Sequence, residues 1–233
     1  MTASLSLFVH LHGDPKQADS LCEAAATRLR GLPSKLGNGC VIIMHRPLAV
    51  AGNDPLPVEQ DARMLLLQVF VPDVAAAAAL AGSEISDHLS GLAAAPGVRD
   101  VHSHMMTTEW LKPGSPEDAR APAKAVSFFV QYDGPAEDPD AFHRYYRAHH
   151  VPIVFRMPGI RSLTYHLPTP ISGPAIGRTV ARLQLVQAVF DSADDFVRMR
   201  QSAERKEGLR DFDNYPKFDG PVTHQVMTSE RIG

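Results

Sequence analysis

Apolar and polar positions along this chain follow two rhythms, one of period two and one close to four, and the rhythms take turns. From Ser4 to His12 they alternate, with Leu5, Leu7, Val9 and Leu11 on one face, which predicts a strand closed by the turn Gly13-Asp14-Pro15. Ala18 to Leu32 carries Leu21, Ala25, Leu29 and Leu32 at helical spacing and ends at Pro33. Cys40 to Leu48 and Met64 to Val71 predict two further strands, separated by a Gly-, Pro- and Asp-rich loop from Ala49 to Asp61. An Ala-rich helix from Val74 to Ala94 and a strand from Val98 to Leu111 complete a β-α-β-β-α-β order. Lys112 to Ala123 has three prolines and a glycine and no apolar period, so it reads as a linker. The order then begins again. Ala125–Tyr132 is a strand, Asp140 to about His150 a helix, and Ile160–Leu167 a strand. After a loop from Pro168 to Gly177 come a strand over Arg178–Phe190, a helix from Ser192 to about Asp211 and a last strand over Val222–Ile232.

The two runs match in residues as well. Ser6-x-Phe8-Val9 and Gly13 recur 121 positions later as Ser127-x-Phe129-Val130 and Gly134, and Met106-Thr107-Thr108-Glu109 recurs at the same offset as Met227-Thr228-Ser229-Glu230. Equal offsets at both ends point to a duplicated unit. The expected fold class is α+β: two tandem ferredoxin-like units whose antiparallel sheets pack face to face into an α/β barrel. Residues 1–111 form the first unit, 112–123 the linker and 124–233 the second unit.

Composition narrows the function classes. Apolar residues make up 44% and charged residues 21% of the 233 positions, with a net charge of −3, the profile of an ordinary globular protein. No basic block points to nucleic acid, and no apolar run approaches the roughly 18 residues of a membrane span. Met1 to Leu11 lacks a secretory pattern. Cys22 and Cys40, with seventeen residues between them, form neither a disulfide framework nor a zinc motif. A reducing, cytoplasmic setting is expected.

Candidate chemistry gathers in Phe142-His143-Arg144-Tyr145-Tyr146-Arg147-Ala148-His149-His150-Val151-Pro152-Ile153. On an ideal helix Phe142, Tyr146, His149 and Ile153 form one stripe facing the sheet, flanked by Tyr145 and His150. Pro152 is expected to bias Val151 away from helical angles and break or kink the helix at the histidine pair, opening a pocket. Imidazole titrates near neutrality and phenol donates to an oxyanion, so the cluster suits acid-base catalysis. Adjacent histidines point about 100° apart and do not chelate one ion; no metal is expected, with His143 two turns from His150. Tyr165 and His166 are adjacent on a strand, so at most one reaches the pocket. His45, His102 and His104 read as strand histidines facing water or satisfied in the core, and Arg198, Arg200, Glu204, Arg205, Lys206 and Glu207 as a solvated helix face. No nucleotide motif or G-x-S-x-G elbow is present.

Phe142-x-x-Tyr145-Tyr146-x-x-His149-His150-Val151-Pro152-Ile153, with Pro158-Gly159-Ile160 after it, resembles the EthD family of the dimeric α/β-barrel superfamily, as does Ser202 to Phe218. The resemblance covers about Ala125 to Ile232 and implies a pocket between sheet and helices, with His150 at the family's recurrent histidine. The superfamily includes cofactor-free monooxygenases, isomerases, cyclases, dehydratases and, in a tandem branch, haem enzymes. The first half reads Ala26-Thr27-Arg28-Leu29-Arg30-Gly31-Leu32-Pro33 at the corresponding place, so one active pocket per chain is expected.

The resulting expectation is a cofactor-independent lyase or isomerase acting on a small aromatic, lactone or polyketide-like compound, as in aromatic catabolism. His150, His149 and Tyr146 would be catalytic; Tyr145, Phe142, Tyr165 and His166 would bind substrate. The spacing favours His149 as the inward imidazole and the resemblance favours His150. Alternatives are an oxygenase, cofactor-free or haem-dependent, and a non-catalytic ligand-binding protein. A homodimer is expected.

Overall fold

The computed structural model describes residues 4–35, 39–50, 63–112 and 125–232. The expected linker beyond Lys112 and the loop beyond Val50 lie outside the described residues. The first half contributes β1 (Ser4–Gly13), α1 (Ala18–Leu29), α2 (Leu32–Lys35), β2 (Val41–Pro47), β3 (Arg63–Val71), α3 (Val74–Ala81), α4 (Glu84–Ala93) and β4 (Val98–Lys112). The second contributes β5 (Ala125–Asp133), α5 (Pro139–Tyr145), a π-helical turn (Tyr146–His150), α6 (Val151–Arg156), β6 (Ile160–Pro168), β7 (Arg182–Phe190), α7 (Ala193–Gln201), α8 (Ala203–Asp211) and β8 (Val222–Ile232).

Among the described residues the strands close into one barrel in the order β1-β3-β2-β8-β5-β7-β6-β4, every pair antiparallel. Each half supplies an arc with its first and third strands in the middle, as in a ferredoxin-like sheet. The arcs face each other across the interior and join edge to edge at two seams, β2 to β8 and β4 to β6. Closure leaves no sheet edge to aggregate or fray.

Alternation along each strand divides two environments. Leu5, Leu7, Val9 and Leu11 of β1 point outward into a core with α1, α3 and α4, and Phe128, Val186, Ala188 and Phe190 point outward into a second core with α5 to α7. The inward set is mixed. Phe8, Leu66, Met106, Phe129, Leu185 and Met227 fill the middle of the barrel, with polar layers around them.

The duplication reappears as a pair of hydrogen-bond networks at the seams. Ser6 Oγ lies 2.7 Å from Thr108 Oγ1, and Thr108 Oγ1 lies 3.1 Å from His166 Nδ1. Ser127 Oγ lies 2.6 Å from Ser229 Oγ, which lies 2.8 Å from His45 Nδ1. Ser6, Thr108 and His45 each find their counterpart 121 positions on, in Ser127, Ser229 and His166. The imidazoles also meet equivalent rings edge-on, His166 on Phe8 at 4.8 Å and His45 on Phe129 at 4.9 Å. Each histidine reaches from one half into the other, so the repeat is locked across both seams. His45, with Nε2 3.1 Å from Gln68 Oε1, is the satisfied core residue the pattern implied.

Four expected helices differ from the observed ones. The Ala18–Leu32 helix ends at Leu29, where Arg30 turns extended, and Pro33 lies within the separate short α2 instead of stopping α1. The Val74–Ala94 helix divides at Gly82-Ser83, and the Ser192–Asp211 helix divides at Ser202, whose extended backbone and hydroxyl, accepting from Arg205 N–H at 3.1 Å, start α8 afresh. The expected break at Pro152 does not occur. Val151 keeps helical angles (φ −56°, ψ −42°), and the chain passes through the π turn into α6, with Pro152 in its first turn. The strand expected from Arg178 begins at Arg182; Arg178 instead bridges to His102.

Burial pushes the pKa of His45 and His166 down to about 3 in each case, with Gln68 and Gln187 partly opposing. Both imidazoles are neutral in the fold and protonated in the unfolded chain below about pH 6.5. Their contribution to stability is therefore complete above that pH and declines as pH falls towards 3, at a little over 1 kcal/mol per pH unit for each histidine. Urea unfolding followed from pH 7 to pH 4 should show this loss, and His45→Gln should flatten the slope by about one proton's worth. An unchanged slope in the variant would exclude His45 as a source of acid sensitivity.

Candidate active site

Pro152 can donate no backbone hydrogen bond and crowds the carbonyl four residues back. The helix accommodates it with the wider π turn, in which Val151 N–H bonds the Tyr146 carbonyl five residues back. That turn carries one extra residue, and the residue changes which side chains face the sheet. Phe142 and Tyr146 point inward as the helical spacing predicts, but the next inward position is His150 instead of His149. His150 is 8% exposed. His149 is exposed and stacks on Tyr145, ring centroids 4.4 Å apart. The conflict between helical spacing and family motif is thus resolved for placement by a local change of helix type.

His150 faces a cavity of about 80 Å³ between α6, α8 and the outer face of the second-half arc. Phe128, Val130, Val154, Met157, Ile160, Leu163, Val186, Ala188, Met199 and Val222 make its walls largely apolar, with Leu209 and Phe212 closing one side. Its polar groups are few: the His150 imidazole, the Tyr132 and Tyr146 phenols, and Arg205. Arg205, expected on a solvated face, is buried with its guanidinium 5.8 Å from the centre of the Phe128 ring. The restart of the helix at Ser202 turns this position inward.

Asp211, at the end of α8, organises the site. One carboxylate oxygen lies 2.9 Å from His150 Nδ1, and the other accepts a hydrogen bond of 2.9 Å from the Tyr145 hydroxyl. The carboxylate holds the proton on Nδ1 and leaves Nε2 as the basic nitrogen. Burial lowers the His150 pKa more than Asp211 raises it, so the imidazole is neutral at neutral pH. Around this pair stand all five tyrosines of the chain. Tyr146 lies 4.9 Å from His150 and stacks on Tyr165 at 5.3 Å; Tyr215 packs edge-on against His150 at 5.4 Å. Burial raises the pKa of Tyr132 to about 12 and that of Tyr146 well above 10, so both phenols remain protonated donors.

Of the residues singled out in the sequence, the cavity brings together His150 and Tyr146. The others take supporting places. Phe142 is fully buried behind Tyr132, Tyr215 and Phe218. Tyr145 reaches the site through Asp211 and the Tyr215 ring. Tyr165 lies beneath Tyr146, donates to Gln184 and carries Arg147 over its ring at 5.1 Å. His166 points into the barrel at the β4–β6 seam, because it follows Tyr165 on a strand and takes the opposite face. His143 binds the Leu183 carbonyl at 3.2 Å, far from any chelating role with His150. Tyr132, Arg205 and Asp211 were not legible as a set, since 61 positions separate Asp211 from His150 and nothing local marks their meeting.

His102 and His104, expected to face water or to be satisfied, are buried inside the barrel with no hydrogen bond from either ring nitrogen to a described residue. They sit beside His10 and His12, and two His-x-His pairs on paired strands were the signal for this grouping.

Fold and site together define a single-chain α/β barrel of the dimeric α/β-barrel type, with an apolar cavity served by an aspartate-backed histidine. Within that class, residues 134–217 match the family model of the EthD domain. No curated protein matches the chain. Solved structures with the same fold span its whole length. One is an anthrone oxidase-like protein (TM-score 0.61, 11% identity, 100% of this chain and 94% of the other). Another, from Fusobacterium nucleatum, is provisionally named a monooxygenase (TM-score 0.62, 8% identity, 100% and 94%). A third, from Lactobacillus acidophilus, carries the same provisional name (TM-score 0.56, 12% identity, 99% and 95%).

A Cβ on Gly208 would lie 3.2 Å from Met157 Cε and 3.4 Å from His150 Cε1, so Gly208→Leu should fill the cavity. Phenol binding, followed by NMR shifts of the Met157 and Met199 methyl groups, should weaken at least about tenfold with the circular dichroism unchanged. Equal affinity in the variant would place the ligand elsewhere.

Proposed function

We propose that the second-half cavity is the active site of an enzyme that begins its reaction by removing a proton from a small aromatic, lactone or polyketide-like substrate. The observation that carries this reading is the Asp211–His150 pair, buried and opening on an apolar cavity. His150 Nε2 takes the proton from an acidic C–H or O–H of the substrate, and Asp211, holding Nδ1–H, stabilises the imidazolium that forms. Tyr146 and Tyr132, kept protonated by burial, donate to the oxygen on which negative charge develops, in surroundings where such hydrogen bonds are strong. Met157 and Met199 are unbranched and adaptable, and they yield to let a single ring enter. The anion then collapses by elimination or isomerisation, with His150 returning the proton.

A second reading shares the first step. The full-length structural neighbours bear names of oxygen chemistry, and an anion of this kind can instead react with dioxygen. A haem-dependent version would need more room than the cavity of about 80 Å³ that His150 faces, since pockets for drug-sized ligands run to roughly 300–1,000 Å³. A carrier without turnover is the third possibility, distinguished by saturable binding with no product. Cys22 and Cys40 are both buried and not joined in a disulfide, which supports a reducing, cytoplasmic setting, and among the described residues no helix is long and apolar enough to cross a membrane. With the barrel closed inside one chain, a homodimer would pair through outer surfaces.

Turnover on a panel of phenols and monocyclic enol lactones, measured in air and under nitrogen with an oxygen electrode, separates the readings. Product formed equally without oxygen supports elimination or isomerisation; stoichiometric oxygen uptake supports the second reading. In either case His150→Ala should lower turnover about 100-fold or more with the unfolding midpoint retained, and His149→Ala should have little effect. Asp211→Asn removes the group that raises the His150 pKa, so the acid limb of the kcat/KM profile should move to lower pH. Full activity in His150→Ala would sink the assignment.

A further inference from the structure

We propose that His10, His12 and His102, with His104 beside them, form a binding site for a divalent late first-row transition metal ion of the Zn²⁺, Ni²⁺ or Cu²⁺ class inside one mouth of the barrel. The site lies on the opposite side of the sheet from the His150 cavity and does not depend on the reading given to that cavity.

β1 and β4 are paired so that His10 stands opposite His102 and Phe8 opposite His104. Alternation then directs His10, His12, His102 and His104 into the barrel together. The rings stack closely: His10 lies 4.4 Å from His102 and 4.9 Å from His104, and His12 lies 5.1 Å from His102. One ligand atom from each of His10, His12 and His102 falls within 4.8 Å of the others, and all three residues are buried. Three imidazoles with a fourth position left open is a coordination set that zinc and its neighbours accept.

Buried polar atoms are almost always satisfied. His10, His102 and His104 are buried, yet neither ring nitrogen of any of them hydrogen-bonds a described residue. Burial and the nearby Arg63 and Arg182 charges hold His10 and His102 in the neutral form that ligates metals. The same guanidinium charges oppose a cation, but Arg182 is paired with Asp133 at 2.8 Å, and the Asp100 carboxylate lies 3.8 Å from His102 Nδ1. A carboxylate behind a ligating imidazole orients it and raises its basicity.

The duplication supplies an internal control. The positions matching His10, His12, His102 and His104 at the 121-residue offset are Gln131, Asp133, Thr223 and Gln225. The scaffold closes its other arc without imidazoles at these places, so the cluster is not a packing requirement of the barrel. A cleft also reaches the fourth histidine of the group, His104. The segment after β6 is pinned across β4 by Arg178, and beneath it this cleft of about 510 Å³ is lined by His104 and Arg182.

Tag-free, chelator-treated protein should bind one Co²⁺ with the visible d–d absorption of a nitrogen-ligated ion, and one Zn²⁺ by calorimetry with a Kd at or below about 10 µM. His10→Gln and His102→Thr, which install the side chains of the other arc, should each weaken binding about 100-fold or more, whereas His150→Ala should leave it unchanged. Should either variant fail to fold, metal protection of the His10 and His102 peptides from diethyl pyrocarbonate in the unmodified chain gives the same answer. Absence of binding at millimolar metal, or binding that survives in both variants, or histidine modification unaffected by metal, overturns the proposal.

Discussion

The barrel depends on two lines of backbone hydrogen bonding between halves of the chain, β2 with β8 and β4 with β6. A four-stranded ferredoxin-like sheet has a second face and two open edges, each costly to leave in water. Joining two such sheets edge to edge removes the edges and turns the second faces inward. Register at each seam is set from within by the same device: a histidine from one half hydrogen-bonded to a hydroxyl of the other, with a phenylalanine ring against its edge. A slip of one residue would put each of these side chains on the wrong face of the sheet. The polar groups at the two seams specify closure at a cost in desolvation, offset there by mutual hydrogen bonds.

The duplicated scaffold is put to unequal use. The seam hydroxyl pairs, the central phenylalanines and the paired methionines Met106 and Met227 are shared by both arcs. Chemistry sits where they differ. On the outer face, only the second half has the π turn, the imidazole and the phenols that surround Asp211. On the inner face, only the first half places imidazoles near the barrel mouth. One sheet closed on itself therefore keeps two polar environments on opposite faces, one against the helices and the other inside.

The outer cavity also shows how a helix irregularity sets a site. A regular helix would have turned His149 towards the sheet and left His150 at the flank. Accommodating Pro152 inserts a residue in the turn, and His150 moves onto the inward line of Phe142 and Tyr146. From there it meets Asp211, whose own position depends on α8 starting anew at Ser202. Two local adjustments, 52 positions apart in sequence, bring acid and base within 2.9 Å.

Alternation and period were enough to specify the strands, the order of elements, the doubling and the α+β barrel, because these depend on which face of each element is apolar. Matching residues at a constant offset carried the repeat. The short run around His149-His150 was enough to mark the second half as the one with candidate chemistry and to bring out its EthD character. Only the tertiary structure decided which histidine faces the cavity, since that turns on a hydrogen bond from Val151 to Tyr146 that no pattern of hydrophobicity encodes. It also decided that Asp211 stands behind His150, that Arg205 turns inward, that Tyr165 and His166 serve packing and seam, and that four histidines from β1 and β4 converge. Each of these is a contact between segments distant in the chain, and its existence follows from strand register and helix restarts, which act on the whole barrel at once.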